Sequence, residues 1–330
     1  GDGLAEHCCL GFNATNIGTE ITSSGGVVIQ SNHIATDAKI KWAVAKTIVL
    51  EPVDTSFSAA LDFDADYTFT SNPTGIRLGK TGNSATVTTS TAITSAGAIE
   101  IYAGTANVNS NLTAGSASTI LVKADVAAID TTKAISAPSG IVTITPATAS
   151  RPIDLGSTTN LAAKLEVSDA ELDTISAGTI RLGEGTNAGD IAVTSAISIA
   201  SAKSSNFAIR TTGAINGSGT IGVVNLGLSA TSINLSGTNS ITGNLAVTVS
   251  GGTAPTFSSS TTYTPAGVDG IAADFGKATK ITLTQTPTNQ KQDVFMGVVF
   301  NPPPTATPRD KYDLVLQTQN STATTVSSRS

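Results

Sequence analysis

"SDAELDTISAGTIRLG", residues 168–183, opens as a helix and closes as a strand. Ser168 with Glu171 three places on has the spacing of a capping box, in which each side chain serves the other's backbone N–H. Past Asp173 the residues become small, β-branched and polar in alternation and run up to Gly183, as a short strand does. The simplest reading is a single helical or turn-like corner at "SDAEL", followed by the next strand of a stack at "GTIRLG". One turn of helix does not make an α/β domain.

Outward from this stretch the same phrases return. "GIRLGKTGN" at 75–83 and "TIRLGEGTN" at 179–187 match closely, and related fragments stand at 153–160 ("IDLGSTTN") and 223–231 ("VVNLGLSAT"). Between them lie short apolar clusters: "IEIYA" from Ile99, "ILVKA" from Ile120, "IVTIT" from Ile141, "LEV" from Leu165, "FAIR" from Phe207, "INLS" from Ile233 and "LAVTV" from Leu245. Their spacing is irregular, with Gly, Asn, Ser or Pro in between. Hairpin signals such as Asn-Gly between alternating strands are few, so the chain does not read as a meander. It reads as an all-β solenoid, a parallel β-helix, in which no rung buries its apolar side alone and stacking makes one core. Residues 75–250 at roughly 20 per rung predict eight or nine rungs and a rod about 40 Å long. A β-sandwich is the rival, with longer and more evenly separated strands.

Composition supports this class. Of 330 residues only 13% are charged and 4% aromatic, with 31 Gly, while 39% are hydrophobic and spread along nearly the whole length. Amphipathic helices would need more Leu, Glu and Lys, and a disordered chain would lack the apolar clusters. The net charge is −6, and Lys and Arg are scattered singly, so no basic stripe for nucleic acid is expected. No apolar run approaches the length of a membrane-spanning helix. No signal-peptide pattern opens the sequence, so any such segment is expected to be removed or to lie outside these residues. The acidic, Lys-poor, Thr/Ser/Asn-rich balance suits an extracellular or bacterial surface protein.

The tract 141–198, "IVTITPATASRPIDLGSTTNLAAKLEVSDAELDTISAGTIRLGEGTNAGDIAVTSAIS", resembles a repeat of the filamentous-haemagglutinin-like exoproteins of bacteria, with the similarity extending over about 120–225. The resemblance implies a right-handed parallel β-helix, export by two-partner secretion, and work in adhesion, biofilm or contact-dependent roles. It carries no ligand information.

Both ends depart from the repeat. Residues 1–70 hold Trp42, both histidines and "FDADYTF", and read as an N-terminal β cap or lead-in; 71–254 read as the β-helix; 255–300, with "ITLTQT" and "VFMGVVF", as a C-terminal β region. In 301–330, "NPPPTATP" forbids helix and central strand, and "YDLVLQTQ" reads as one isolated tail strand, either a linker's end or a strand offered to a neighbouring molecule.

Candidate chemistry is sparse. "LDFDADYTF" places Asp62, Asp64 and Asp66 on one face of a strand, opposite Leu61, Phe63, Ala65 and Tyr67. Three aligned carboxylates suit Ca²⁺ or the acid/base set of a polysaccharide hydrolase; the plain alternative is a charged solvent face. Asp169, Glu171 and Asp173 stand near Arg181 in sequence, which points to a corner rather than a site. Adjacent Cys8 and Cys9 close no loop, and His7 and His33 complete no metal set or triad. The Asn-x-Ser/Thr triplets at Asn13, Asn111, Asn216, Asn234 and Asn320 arise by chance in such a composition. The expectation is a non-enzymatic extracellular structural or adhesive protein without cofactors. It would self-associate into filaments, by end-to-end stacking or C-terminal strand addition, and contact cell-surface or matrix glycans or proteins. The alternatives are a β-helical polysaccharide-degrading enzyme and a spacer fragment of a larger adhesin.

Overall fold

A computed structural model describes residues 20–34, 40–160, 163–251, 255–258, 262–263, 314–317 and 323–326. The backbone of this β-protein winds as a parallel coil of about ten turns. Ten strands lie side by side in chain order, from Val27–Gln30 through Gly75–Leu78 and Ile175–Leu182 to Leu245–Val249. They form the first face of a three-sided solenoid. The second face begins with Leu61–Phe63 and Thr86–Thr89, passes through the latter halves of Ala98–Val108 and Thr119–Ile129, and continues in a six-stranded sheet ending at Thr256–Phe257. The third face runs from Glu20–Ser23 to Thr262–Tyr263. Every strand pairing among the described residues is parallel except that of Leu314–Gln317 with Ala323–Val326. Stacked parallel turns exclude the sandwich.

The register explains the apolar triplets. Ile48, Ile76, Ile99, Ile120, Val142, Ile180, Phe207, Leu226 and Leu245 are successive partners in one column. Two residues along, Leu50, Leu78, Ile101, Val122, Ile144, Leu182, Ile209, Leu228 and Val247 form a second. Both columns are buried, since strand residues two apart share a face. Each such side chain contributes about 1.5–3 kcal/mol on leaving water, and only the rungs above and below provide the cover.

The repeated phrases occupy equivalent places. Gly75 and Thr179 each stand one residue before the buried column that links Ile76 to Ile180. Gly79 and Gly183 then turn the corner at φ +77° and +74°, each so tight that a Cβ would lie 2.2 Å from a carbonyl oxygen of the next rung, that of Tyr102 or Arg210. Only glycine meets both demands.

"SDAEL" is the helical corner anticipated. Asp169–Leu172 is the single helix among the described residues, and the capping box between Ser168 and Glu171 is complete. Eight of the ten first-face strands fall between residues 75 and 249, as the rung estimate required.

Two expectations change. Of the two readings of residues 1–70, a cap or a lead-in, the pairing of Val27–Gln30, Thr47–Glu51 and Gly75–Leu78 in sequence fits the lead-in, since these turns belong to the coil. The coil also passes residue 254, since Thr256–Phe257 and Thr262–Tyr263 pair with strands of the preceding turn. The tail strand is not isolated, because Leu314–Gln317 pairs with Ala323–Val326. Most of 255–313, Cys8, Cys9 and His7 lie outside the described residues.

Candidate functional site

Asp62, Asp64 and Asp66 do not share a strand face. Leu61–Phe63 and Tyr67–Phe69 are separate strands on different faces of the coil. Between them Asp64 Oδ1 accepts the backbone N–H of Asp66 at 2.9 Å, and the Tyr67 N–H reaches Asp64 O at 3.1 Å. This local bond offers the backbone a turn in place of a ladder, and it leaves Ala65 exposed. Asp62 instead accepts the Ser90 hydroxyl at 2.7 Å. Burial, and the charges of Asp66 and Asp62, push the Asp64 carboxyl above its ordinary value. Among the described residues no three His, Cys, Asp or Glu side chains stand together as a metal-holding group.

The acids of the helical corner serve the fold. Glu171 Oε2 accepts the backbone N–H and the hydroxyl of Ser168 at 2.8 and 2.7 Å, while Oε1 accepts the Ile129 N–H at 3.1 Å from a neighbouring rung. Asp169 accepts the Ser198 N–H at 2.7 Å. Arg181, close in sequence, points from the first face, where Arg210 and Glu184 are the charges that act on it.

A second pair of acids escaped the sequence reading. Asp154 and Glu166 are partners on adjacent second-face strands, both outward by alternation and both buried. Asp154 holds Lys164 Nζ at 2.9 Å and the Thr194 hydroxyl at 2.5 Å; Glu166 accepts the hydroxyls of Ser157 and Thr159 at 2.6 and 2.8 Å. The hydrogen bond to Asp154 raises the Lys164 ammonium above its usual value. Such paired carboxylates are what a glycoside hydrolase uses, but here the chain's own donors occupy them.

A strip of charged residues, paired largely among themselves, lies on the outside of the first face. The alternation that buries Ile76 and Leu78 turns Arg77 outward, in one column with Val49, Glu100, Leu121, Thr143, Arg181 and Ala208. The neighbouring column sets Tyr102 beside Lys123, and Arg210 follows on a later rung. Lys80 and Glu184 occupy matching places just past the two corner glycines. Arg77 pairs with Glu51, and Lys123 with Glu184 at 2.9 Å. Burial works against the Glu51 carboxylate, yet hydrogen bonds from Gln30 and Arg77 outweigh it and hold the group below the usual range. Burial and Arg210 lower the Arg181 guanidinium.

Between the rungs a small dimple, about the size of one water, is lined by Lys80, Asn83, Tyr102, Ala103, Lys123 and Ala147. Its floor is fixed: buried Asn83 accepts the Phe57 N–H at 3.2 Å and donates to Tyr102 O at 2.8 Å. Lys80 is tied to the Val53 carbonyl at 3.0 Å. Burial and Glu100 raise the Tyr102 phenol, so it stays neutral. Sequence reading missed this strip because its residues stand 20 or more apart and the turns differ in length; only the register brings them together.

Comparison of the chain with protein-family models, with curated proteins and with solved structures gives no match in any of the three.

Proposed function

We propose that this chain is an extracellular structural and adhesive rod, of the kind its resemblance to filamentous-haemagglutinin-like exoproteins implies. The observation that carries the reading is the unbroken column of first-face partners, rung upon rung from Val27 to Leu245. A solenoid with a continuous core is stiff along its axis, and its sides present fixed arrays of polar groups at the spacing of parallel strands, about 4.8 Å. Shape and repeated surface are then the working parts. Filaments would follow from rung ends pairing between copies, because edge strands carry open backbone groups.

Electron microscopy of the purified protein over a concentration series tests this. Rods that lengthen with concentration are expected. Short particles of one size at every concentration would remove the filament, and globules would remove the rod.

A further inference from the structure

We propose that the third face of the coil is a lateral contact surface whose partner is a second copy of this chain, packed face to face. The contact rests on the rod of the preceding reading, but on neither its adhesive role nor its end-to-end pairing.

The residues that the register collects are the first argument. Along the outside of the third face, Thr94, Thr113, Ser136 and Ser176 are successive partners in one column. Ser198 and Ser240 continue the pattern on later rungs, with Gly222 between them. Positions two residues to either side also turn outward, and they are as small: Ala92 and Ala96 about Thr94, Ala196 and Ala200 about Ser198, all exposed. No Asp, Glu, Lys or Arg occurs in the third-face segments 91–96, 110–116, 134–139, 174–178, 194–200, 219–223 and 238–242. The other faces differ. The first carries Arg77, Glu100 and Lys123, the second Asp62, Asp154 and Glu166.

Desolvation is the second. A copy docking by either charged face must strip water from ions, which is costly unless each finds a new partner. The third face has none to strip. Its Gly and Ala have no rotamers to lose on burial. Its Ser and Thr hydroxyls both donate and accept, so the face complements itself, as an isologous contact requires.

Area is the third. Those segments belong to seven rungs, which at about 4.8 Å each make a strip about 34 Å long. Three outward positions about 6.6 Å apart, with the width of their side chains, make it about 20 Å across. Each copy would bury roughly 700 Å², about 1,400 Å² in total, inside the range of about 1,200–2,000 Å² for specific protein pairs.

Sedimentation velocity of the full chain over a concentration series, with negative-stain microscopy at matched concentrations, tests this. Pairs of doubled width are expected. Because the contact is uncharged, they should persist as salt is raised, where a contact made by charges weakens. Thr113→Lys/Ser136→Lys should weaken pairing about a hundredfold, because it buries charges without partners, and Thr94→Lys/Ser198→Lys should do the same. Ala192→Lys/Asn234→Lys lies on the second face; it adds the same charge and should pair as the parent does. Circular dichroism melts confirm that each variant keeps its coil. Single-width rods at every concentration, pairs lost in salt, or pairs retained by both third-face variants overturn the proposal. Single-width rods that lengthen with concentration would remove this inference and leave the end-to-end reading standing.

Discussion

Two stretches of this coil complete a turn in very different lengths. Phe207, Leu226 and Leu245 are successive partners only 19 residues apart, whereas Val142 and Ile180, also partners, are separated by 38. The short turns hold no Asp, Glu, Lys or Arg from Thr211 to Val268. Their corners are satisfied by neutral side chains: Asn225 Nδ2 donates to Asn206 at 3.0 Å and its Oδ1 accepts the Asn244 N–H at 2.7 Å. The long turn lays down two second-face strands, Ile153–Leu155 and Leu165–Val167, and a helix. It also carries Arg151, Asp154, Lys164, Glu166, Asp169, Glu171 and Asp173. About 19 residues suffice to circle three faces. The surplus of the long turn brings buried charge, and buried charge must be met atom by atom.

The comparison predicts where stability resides. In the short turns it lies in the aliphatic and aromatic columns. Phe207→Ala removes a fully buried ring stacked between Ile180 and Leu226 and should cost about 3–5 kcal/mol, measured by denaturant unfolding. Because rungs touch only their neighbours, amide exchange should accelerate around residues 180–228 and remain slow in the Ile99 and Ile120 rungs. Uniform acceleration along the whole coil would show that the turns are more strongly coupled than nearest-neighbour stacking allows.

In the long turn, stability depends on polar satisfaction. Glu171→Ala strands the N–H groups of Ser168 and Ile129 and should cost about 2–4 kcal/mol, with Glu171→Gln restoring part of it by keeping an acceptor. A loss as small as that of an exposed carboxylate would erase the distinction between the two kinds of turn.

Both the legible and the illegible parts of the fold follow from this contrast. The apolar triplets were readable because alternation is local, and the "IRLG" phrases because the same corner recurs with the same glycine. Ser168 and Glu171 were readable since a capping box spans four residues. The charged strip was not, since Arg77, Tyr102 and Lys123 become neighbours only through turns of unequal length. Nor were Asp154 and Glu166, whose partnership depends on the chain looping round to lay a second, parallel strand within one turn. "LDFDADYTF" misled for a different reason: its alternation is that of a strand, but the Asp64 side chain captures the Asp66 N–H and breaks it.

That turn gives the smallest and sharpest test of whether acids on this coil need compensation. In the long turn each buried acid has donors or a cation. Around Asp64 the charges that act are Asp66 and Asp62, of its own sign. Burial first, and these neighbours next, raise its folded pKa above the unfolded value, so its contribution to stability is present below about pH 3.9 and is lost as pH rises through the folded pKa. At neutral pH the ionised group therefore works against folding. Asp64→Asn keeps the carbonyl oxygen that accepts the Asp66 N–H and removes the charge. It should raise the melting temperature slightly at pH 7, and the gain should shrink to nothing as the pH falls below about 4. A loss at pH 7, or a gain that persists at low pH, would show that the carboxylate is held by something other than its turn and that uncompensated acids are not what distinguishes this part of the coil.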